Sequence, residues 1–459
     1  MAGSIRPITR LASAGALVAG LQLMGGTAAH AFEVYSDEES KTKLDAKLSA
    51  VYGFFSSQKS YNGFAQGQQH HGRTNWHEGY AKYGVYGETG FGLPAGSTIY
   101  GGLSAISSGT WGDGDAGGFS SGHEYRTAFE ETYGGWKSGN LFPFLGENGL
   151  DISGGSQNLV IGKGFIINND MFQYGDTFGK SYDRGGMYYL SGRSAFDKTA
   201  VVRVGGASGP RGEFAWVKSD NMGQGAMEFA LANLEYNAEN SSVAFMYLKG
   251  IDVSQRAARE FADYFAERDG MDLYNLRGST NAGIENLTLD MELVYEDKVS
   301  DGFAGYAAAA YDFADVAWTP RLSYRYSRFS KHYDALFFGY QRYGTWWQGE
   351  VAGDYSGPYN MNSDIHQLSL LLHPHETVTL GANAYHFHTI DSHQKYAGNN
   401  VNASGDELDL YMEWAPTPTY YVAPLLGLYK PHHDRAHGGT QNGDNNLNVY
   451  LQMIVGLYF

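Results

Sequence analysis

Read backwards from the C-terminus, every second residue is apolar: Phe459, Leu457, Val455, Met453, Leu451, Val449 and Leu447. The intervening set, Tyr458, Gly456, Ile454, Gln452, Tyr450, Asn448 and Asn446, is small, amphipathic or polar. A period of two marks a strand with one greasy face. This strand is long enough to cross a bilayer when tilted. Segments of the same kind recur. Leu44–Phe54 puts Leu44, Ala46, Leu48, Ala50, Tyr52 and Phe54 on one face and Lys43, Asp45, Lys47 and Ser49 on the other. About twenty such segments can be marked, among them Asp151–Ile166, Gly186–Arg193, Arg321–Phe329, Thr345–Gly353, Leu408–Trp414 and Tyr420–Tyr429.

The connections alternate between short and long. Gly92–Gly96, His373–Glu376 and Pro416-Thr417-Pro418 are short and carry turn residues. Ser56–His77, Ser107–His123, Asn168–Asp183, Thr389–Asp406 and Lys430–Asn445 are long and polar. Ser254–Arg268 reads as an amphipathic helix, with Ala257, Ala258, Phe261, Tyr264 and Phe265 on one side. Arg256, Arg259, Glu260, Asp263, Glu267 and Arg268 cover its other side. This pattern predicts an all-β fold, a transmembrane antiparallel β-barrel with long extracellular loops. An even strand count is expected of a bacterial single-chain barrel, which gives about 18. The up-and-down count does not close between Ala200 and Lys249. Taken literally it puts Gly250–Gly270 on the periplasmic side, so one segment is miscounted. A strand that closes the chain on Phe459 resembles the C-terminal signature of bacterial outer-membrane barrels. That resemblance implies recognition by the barrel-assembly machinery and a lipid and lipopolysaccharide environment.

Composition agrees. Arg6 and Arg10, the apolar run Leu11–Leu23 and Ala29-His30-Ala31 form a secretory signal peptide over residues 1–31. The barrel then occupies 32–459 as one domain. Aromatic residues make up 15% of the chain and glycines number 62, with no apolar run long enough for a membrane helix. No cysteine is present, which excludes a disulfide scaffold and thiolate metal sites. Losing Arg6 and Arg10 and no acid moves the formal charge from −17 to −19, an acidic balance that argues against a nucleic-acid partner.

The sharpest chemistry lies in Arg321-Leu322-Ser323-Tyr324-Arg325-Tyr326-Ser327. With Leu322, Tyr324 and Tyr326 toward lipid, Arg321 and Arg325 face the lumen. A lipid-facing arginine near the midplane costs about 2–4 kcal/mol, which enforces that choice. Paired guanidiniums are natural ligands for carboxylates or sulfates. They are equally suited to ion pairs with lumenal acids, for which Asp290, Glu292, Asp409 and Glu413 are candidates. Arg203, Arg193, Arg184, Arg126, Lys43, Lys47, Lys82 and Lys163 are further lumen candidates, with Lys82 and Glu88 on one face of a strand. His70-His71 and His432-His433 with His437 fall in probable loops, and like His386 with His388 they lack a recognisable completing ligand and read as solvated histidines. Asp113-Gly114-Asp115 lacks the remaining positions of a calcium loop. No metal or cofactor is expected, and no nucleophile elbow, phosphate loop or HExxH sequence occurs.

Several stretches of the second half resemble the alginate export family of outer-membrane porins. They are Thr319–Ser327, Tyr343–Glu350, Asn360–Leu368 and the His373-Pro374 turn leading into Leu380–His388. In the first half, Gly155-Ser156-Gln157 with Gly162–Phe165, and Gly192–Asp197, are compatible with it. The resemblance implies a monomeric 18-stranded barrel whose basic lumen passes an anionic sugar polymer, with Arg321 and Arg325 at basic lumen positions. The expected function is passive, substrate-biased diffusion of polar or anionic solutes, an anionic polysaccharide or its oligomers among them, with no enzymatic activity. Two other readings stand beside it. One is a barrel enzyme of lipase or protease type, favoured by a sealed lumen or a Ser–His–acid contact at the rim. The other is a scaffold barrel, favoured by a wide, uncharged lumen.

Overall fold

Alternation becomes a barrel when each strand buries its polar row and gives its apolar row to lipid. A computed structural model of the chain describes residues 32–61, 72–206, 208–339, 345–396 and 399–459. The proposed signal peptide and His70-His71 lie outside them. The strands are β1 (Phe32–Asp37), β2 (Thr42–Ser57), β3 (Thr74–Thr89), β4 (Thr98–Gly112), β5 (Tyr125–Lys137), β6 (Leu150–Gln157) and β7 (Phe196–Val204). They continue with β8 (Gly209–Lys218), β9 (Glu228–Asn237), β10 (Ser241–Asp252), β11 (Asp272–Thr280), β12 (Leu287–Asp297), β13 (Gly302–Asp312) and β14 (Arg321–Phe329). Last come β15 (Ser363–His375), β16 (Val378–Thr389), the short β17 (Lys395–Tyr396) and β18 (Asn399–Asn400), β19 (Gly405–Thr417), β20 (Tyr420–Pro431) and β21 (Asn448–Tyr458). β17 and β18 form a small hairpin within a loop. The other strands make one antiparallel sheet of 19, in which β21 pairs with β2 and closes an 18-stranded barrel.

β1 is the nineteenth strand, and it completes the seam. β21 occupies the edge of β2 from Ser49 to Ser57, and Phe459 and Leu48 exchange backbone bonds of 2.8 and 2.9 Å. Below that point β1 takes over the same edge, from Phe32 opposite Ala46 to Asp37 opposite Thr42. An edge that β21 is too short to cover is therefore paired rather than left open.

The strand phases agree with the alternation. On β14, Leu322, Tyr324 and Arg328 are exposed on the outside, while Ser327 and Phe329 are buried inside. On β21, Leu451, Met453 and Val455 face out, and Tyr450, Gln452 and Ile454 are buried. Short turns, the first described residue Phe32 and the terminal Phe459 lie toward one end of the barrel, the periplasmic one by outer-membrane architecture. Long loops lie at the other.

Two of these loops fold into the lumen, 158–195 between β6 and β7 and, in its described parts 330–339 and 345–362, the one between β14 and β15. They explain the excess strand count. Gly186–Arg193 and Thr345–Gly353, which alternate like strands, belong to these loops, and Asp151–Ile166 is strand only to Gln157. Inside a filled lumen a coil also alternates between apolar packing and polar bonding, so the pattern imitates a strand. With both segments removed, 253–271 falls at the long-loop end. The Ser254–Arg268 helix is a helical turn, Gln255–Glu260, followed by a 3-10 segment, Asp263–Arg268.

We expect a chain lacking Phe32–Asp37 to close its barrel but to lose the five paired positions on β2. At about 0.5–1.5 kcal/mol per hydrogen bond, this lowers the temperature at which the folded form loses its distinct gel mobility. An unchanged transition would show that β1 adds nothing to the seam.

Candidate functional site: a stoppered, charged lumen

The inward row of β2 records how deep the loops reach. Lys43, Asp45, Lys47 and Ser49 are open to the lumen, whereas Val51 and Phe55 above them are 2% and 4% exposed. The periplasmic half is therefore water-lined, and the extracellular half is packed. Loop residues Phe165, Tyr188, Tyr189, Trp346, Trp347 and Tyr355 fill it, each exposed by no more than 5%. Phe165 stands edge-on to Trp346 at 4.8 Å between ring centres, and Tyr188 stacks on Phe119 at 4.3 Å. The two loops also hold each other. Ile167 bridges to Phe337, Asn168 N–H donates to Phe337 O (2.7 Å), Gly339 N–H to Gly164 O (2.7 Å) and the Trp346 indole to Lys163 O (2.7 Å).

Backbone inside a barrel needs partners for its amides, and wall carboxylates supply them. Glu78 on β3 accepts from Tyr189 N–H (3.2 Å) and Leu190 N–H (2.8 Å). Glu130 on β5 accepts from Ser194 N–H (2.6 Å) and Ala195 N–H (3.0 Å). Glu296 on β12 accepts from Asp334 N–H (3.0 Å). On β19, Glu407 accepts from Val351 N–H (2.7 Å) and Ala352 N–H (2.8 Å), and Asp409 from Glu350 N–H (3.3 Å). A bulge between β4 and β5 turns Glu130 and Glu131 both inward, which two neighbours on a regular strand cannot do. Glu131 then bonds Tyr86 (2.5 Å), Ser104 (3.0 Å) and Asn158 (3.3 Å).

The candidate residues distribute as follows. Arg321 faces inward and pairs with Asp312 (2.6 Å), not with Asp290, Glu292, Asp409 or Glu413. Asp290 pairs with Lys163 of the infolded loop (2.6 Å), and Glu292 accepts from the Asn275 amide (3.0 Å). Asp409 serves the loop backbone, and Glu413 accepts from Tyr421 OH (2.9 Å). Arg203 on β7 pairs with Glu213 (2.7 Å) and Asp151 (3.9 Å). Glu88 takes Lys137 (3.1 Å) rather than Lys82, which reaches Glu130 (3.5 Å). Arg193 and Arg184 are in the lumen, carried by the loop and not by a strand. Arg193 lies 3.5 Å from Glu130 and 3.8 Å from Asp220; Arg184 lies 2.6 Å from Asp220 and 3.8 Å from Asp170. Burial raises the Asp170 carboxyl above its ordinary range despite Arg184. Burial and the neighbouring Arg184 lower Arg193.

Arg325 is different. Its Nη2 donates to Thr345 O (2.7 Å) and Gln348 Oε1 (3.2 Å), and its guanidinium lies 4.5 Å over the Trp346 ring. Its Nε is buried with no hydrogen-bond partner. Among the described residues no carboxylate stands within ion-pair distance of it. Lys47, Arg126 and Arg211 also face the lumen without an ion-pair partner among the described residues, Lys47 lying over the Tyr86 ring (4.5 Å) and Arg211 standing opposite Glu235 in register.

Asp115 is no calcium ligand in waiting. Its two oxygens accept from Gly117, Phe119 and Ser120 N–H and from Ser120 OH, and burial pushes it up to about 6. Sequence reading also missed the role of Arg268. It is 2% exposed, and its Nε and Nη2 make a bidentate pair with Asp334 of the infolded loop (2.6 and 2.7 Å). The helical wheel of its own segment put it on the solvent side, and nothing local signals Asp334. Burial alone raises an acid, but here Arg268 outweighs it and holds Asp334 below its usual value.

Breaking this buried pair with Arg268→Ala costs about 3–5 kcal/mol and frees one anchor of the 330–362 loop. We expect higher and noisier single-channel conductance, with the barrel still closed. A lowered carboxylate stabilises above its unfolded value near 3.9. The anchor therefore holds at neutral pH and loosens as pH falls below about 4. Conductance traces of wild type and variant between pH 7 and pH 3 check both points.

No protein-family model matches the chain, and no curated protein matches it by sequence. Solved structures do match. Pseudomonas aeruginosa OccK5 (OpdH) superposes with a TM-score of 0.55 at 8% identity, over 90% of this chain and 98% of that one. The BenF-like porin from Pseudomonas fluorescens Pf-5 gives 0.55 at 10% identity, over 91% and 98%. Acinetobacter baumannii OccAB3 gives 0.54 at 9% identity, over 90% and 99%. At such identities the likeness is one of fold, and the fold is that of an outer-membrane β-barrel porin.

Proposed function

We propose that the chain is a passive, non-enzymatic channel of the outer membrane, biased toward small polar or anionic solutes. The observation that carries this reading is Arg325. Most lumen cations are neutralised by neighbouring acids, but this guanidinium, packed against the loop stopper at the middle of β14, has no acid within ion-pair distance among the described residues. Trp346 and Gln348 hold its plane, so little side-chain freedom is lost when a planar carboxylate engages it. Lys47 on β2 and Arg126 on β5 supply further positive charge without an ion pair. The chain's acidity does not oppose this, because Glu78, Glu130, Glu407 and Asp409 are turned to loop amides.

The packed upper lumen favours small solutes over the sugar polymer that the alginate-export resemblance implies. It also bears on the enzyme alternative, for which a closed lumen counts. Against that alternative, His386 and His432 bond to Asp406, His437 to Asp434 and His366 to Tyr324, so these rim histidines are engaged without a serine.

In planar bilayers we expect the purified channel to prefer anions. Arg325→Ala should move the reversal potential toward cations, and Arg321→Ala, whose charge Asp312 already balances, should move it far less. Cation preference in wild type, or equal effects of the two substitutions, would count against Arg325 as the selective group. Absence of any conductance would remove the channel reading.

A further inference from the structure

Above the lipid-facing leucines of β15, β16, β19 and β20, the outer wall changes character. The outward residues of β15 run Leu370, Leu368, His366 and Asp364 toward the extracellular end, and those of β19 run Leu410, Leu408 and Asp406. Cross-strand register aligns Tyr326, His366, His386, Asp406 and Lys430 in one row around the wall. All but Tyr326 are exposed, on the outside of the barrel and away from the pore.

Three groups of this rim converge. His386 Nδ1 lies 2.7 Å from one oxygen of Asp406, and His432 Nε2, just beyond β20, lies 2.7 Å from the other. The ligand atoms all lie within 4.8 Å of one another. Lys430 is the direct neighbour of Asp406 in the register, yet its ammonium turns away to Asn445 O. Asp406 is thereby left to the two imidazoles. His366 and His388 stand alongside in an open cleft with Asp364 and Tyr326.

We propose that His386, Asp406 and His432 form a binding site for a first-row divalent transition metal of the zinc or copper kind. Two imidazoles and one carboxylate suit such ions, and water completes the coordination. Two bonds of about 2.1 Å span at most about 4.2 Å, so small rotations of exposed side chains close the set. Calcium and magnesium, which take oxygen ligands, are poor fits. The ion ties β16, β19 and the start of the 432–447 loop together at the level of the lipid headgroups. It is separate from the proposed solute path and does not depend on it.

The test is calorimetric titration of metal-stripped, detergent-purified full chain with Zn2+. We expect saturable binding of one ion per barrel. His386→Ala and Asp406→Asn should each weaken it at least tenfold, and His437→Ala, whose ring belongs to Asp434, should leave it unchanged. Heat-dependent gel mobility verifies that each variant is folded. Bound Cu2+ should show electron-paramagnetic coupling to two imidazole nitrogens in wild type and to one in His432→Ala. No saturable Zn2+ binding, undiminished binding in the variants, or equal competition by Ca2+ would each overturn the site.

Discussion

The rest of the lumen depends on one requirement: polypeptide that enters a barrel must still bond its backbone. The loop 158–195 and the described parts, 330–339 and 345–362, of the loop after β14 leave the water and carry N–H groups that need partners into an enclosed space. Carboxyl oxygens can accept these bonds, and the wall offers Glu78, Glu130, Glu296, Glu407 and Asp409 at those points. An unmet amide costs about 1–3 kcal/mol, so these acids decide where the loops sit. The aromatic packing around Phe165, Tyr188 and Trp346 then fills what the hydrogen bonds have placed.

This division of labour resolves an apparent conflict. A chain with a formal charge of −17 is an odd vehicle for anions. Much of its lumenal acidity, however, is committed to backbone N–H groups or to fixed pairs such as Arg203–Glu213 and Arg321–Asp312. What a solute meets depends on the charges left over, and Arg325 is the clearest of them. Net charge describes the molecule's solubility better than the interior of its pore.

Much of the barrel was legible in the sequence. Period-two alternation identified both faces of β2, β14 and β21, because lipid on one side and water on the other impose opposite demands on neighbouring residues. The two infolded loops were not legible. Gly186–Arg193 and Thr345–Gly353 alternate for a different reason, aromatic packing against wall bonding, and sequence alone cannot separate the causes. The partners of Arg321 and Asp290 were missed because register and loop path choose among several acids that look alike. Arg268 with Asp334, and His386 with Asp406 and His432, lie far apart in the chain and meet only through the curvature of the wall or the infolding of a loop. The bulge that turns Glu130 and Glu131 to the same side likewise has no signature in residue type.

The wall carboxylates grip the stopper by its main chain. Every residue except proline presents the same N–H, so side chains at Tyr189, Leu190, Ser194, Val351 and Ala352 can be exchanged without removing the bonds that seat them. In evolutionary terms the socket and the filling are separable inheritances. Descendants can repaint the inner surface, and with it the choice of cargo, while the docking pattern passes on intact.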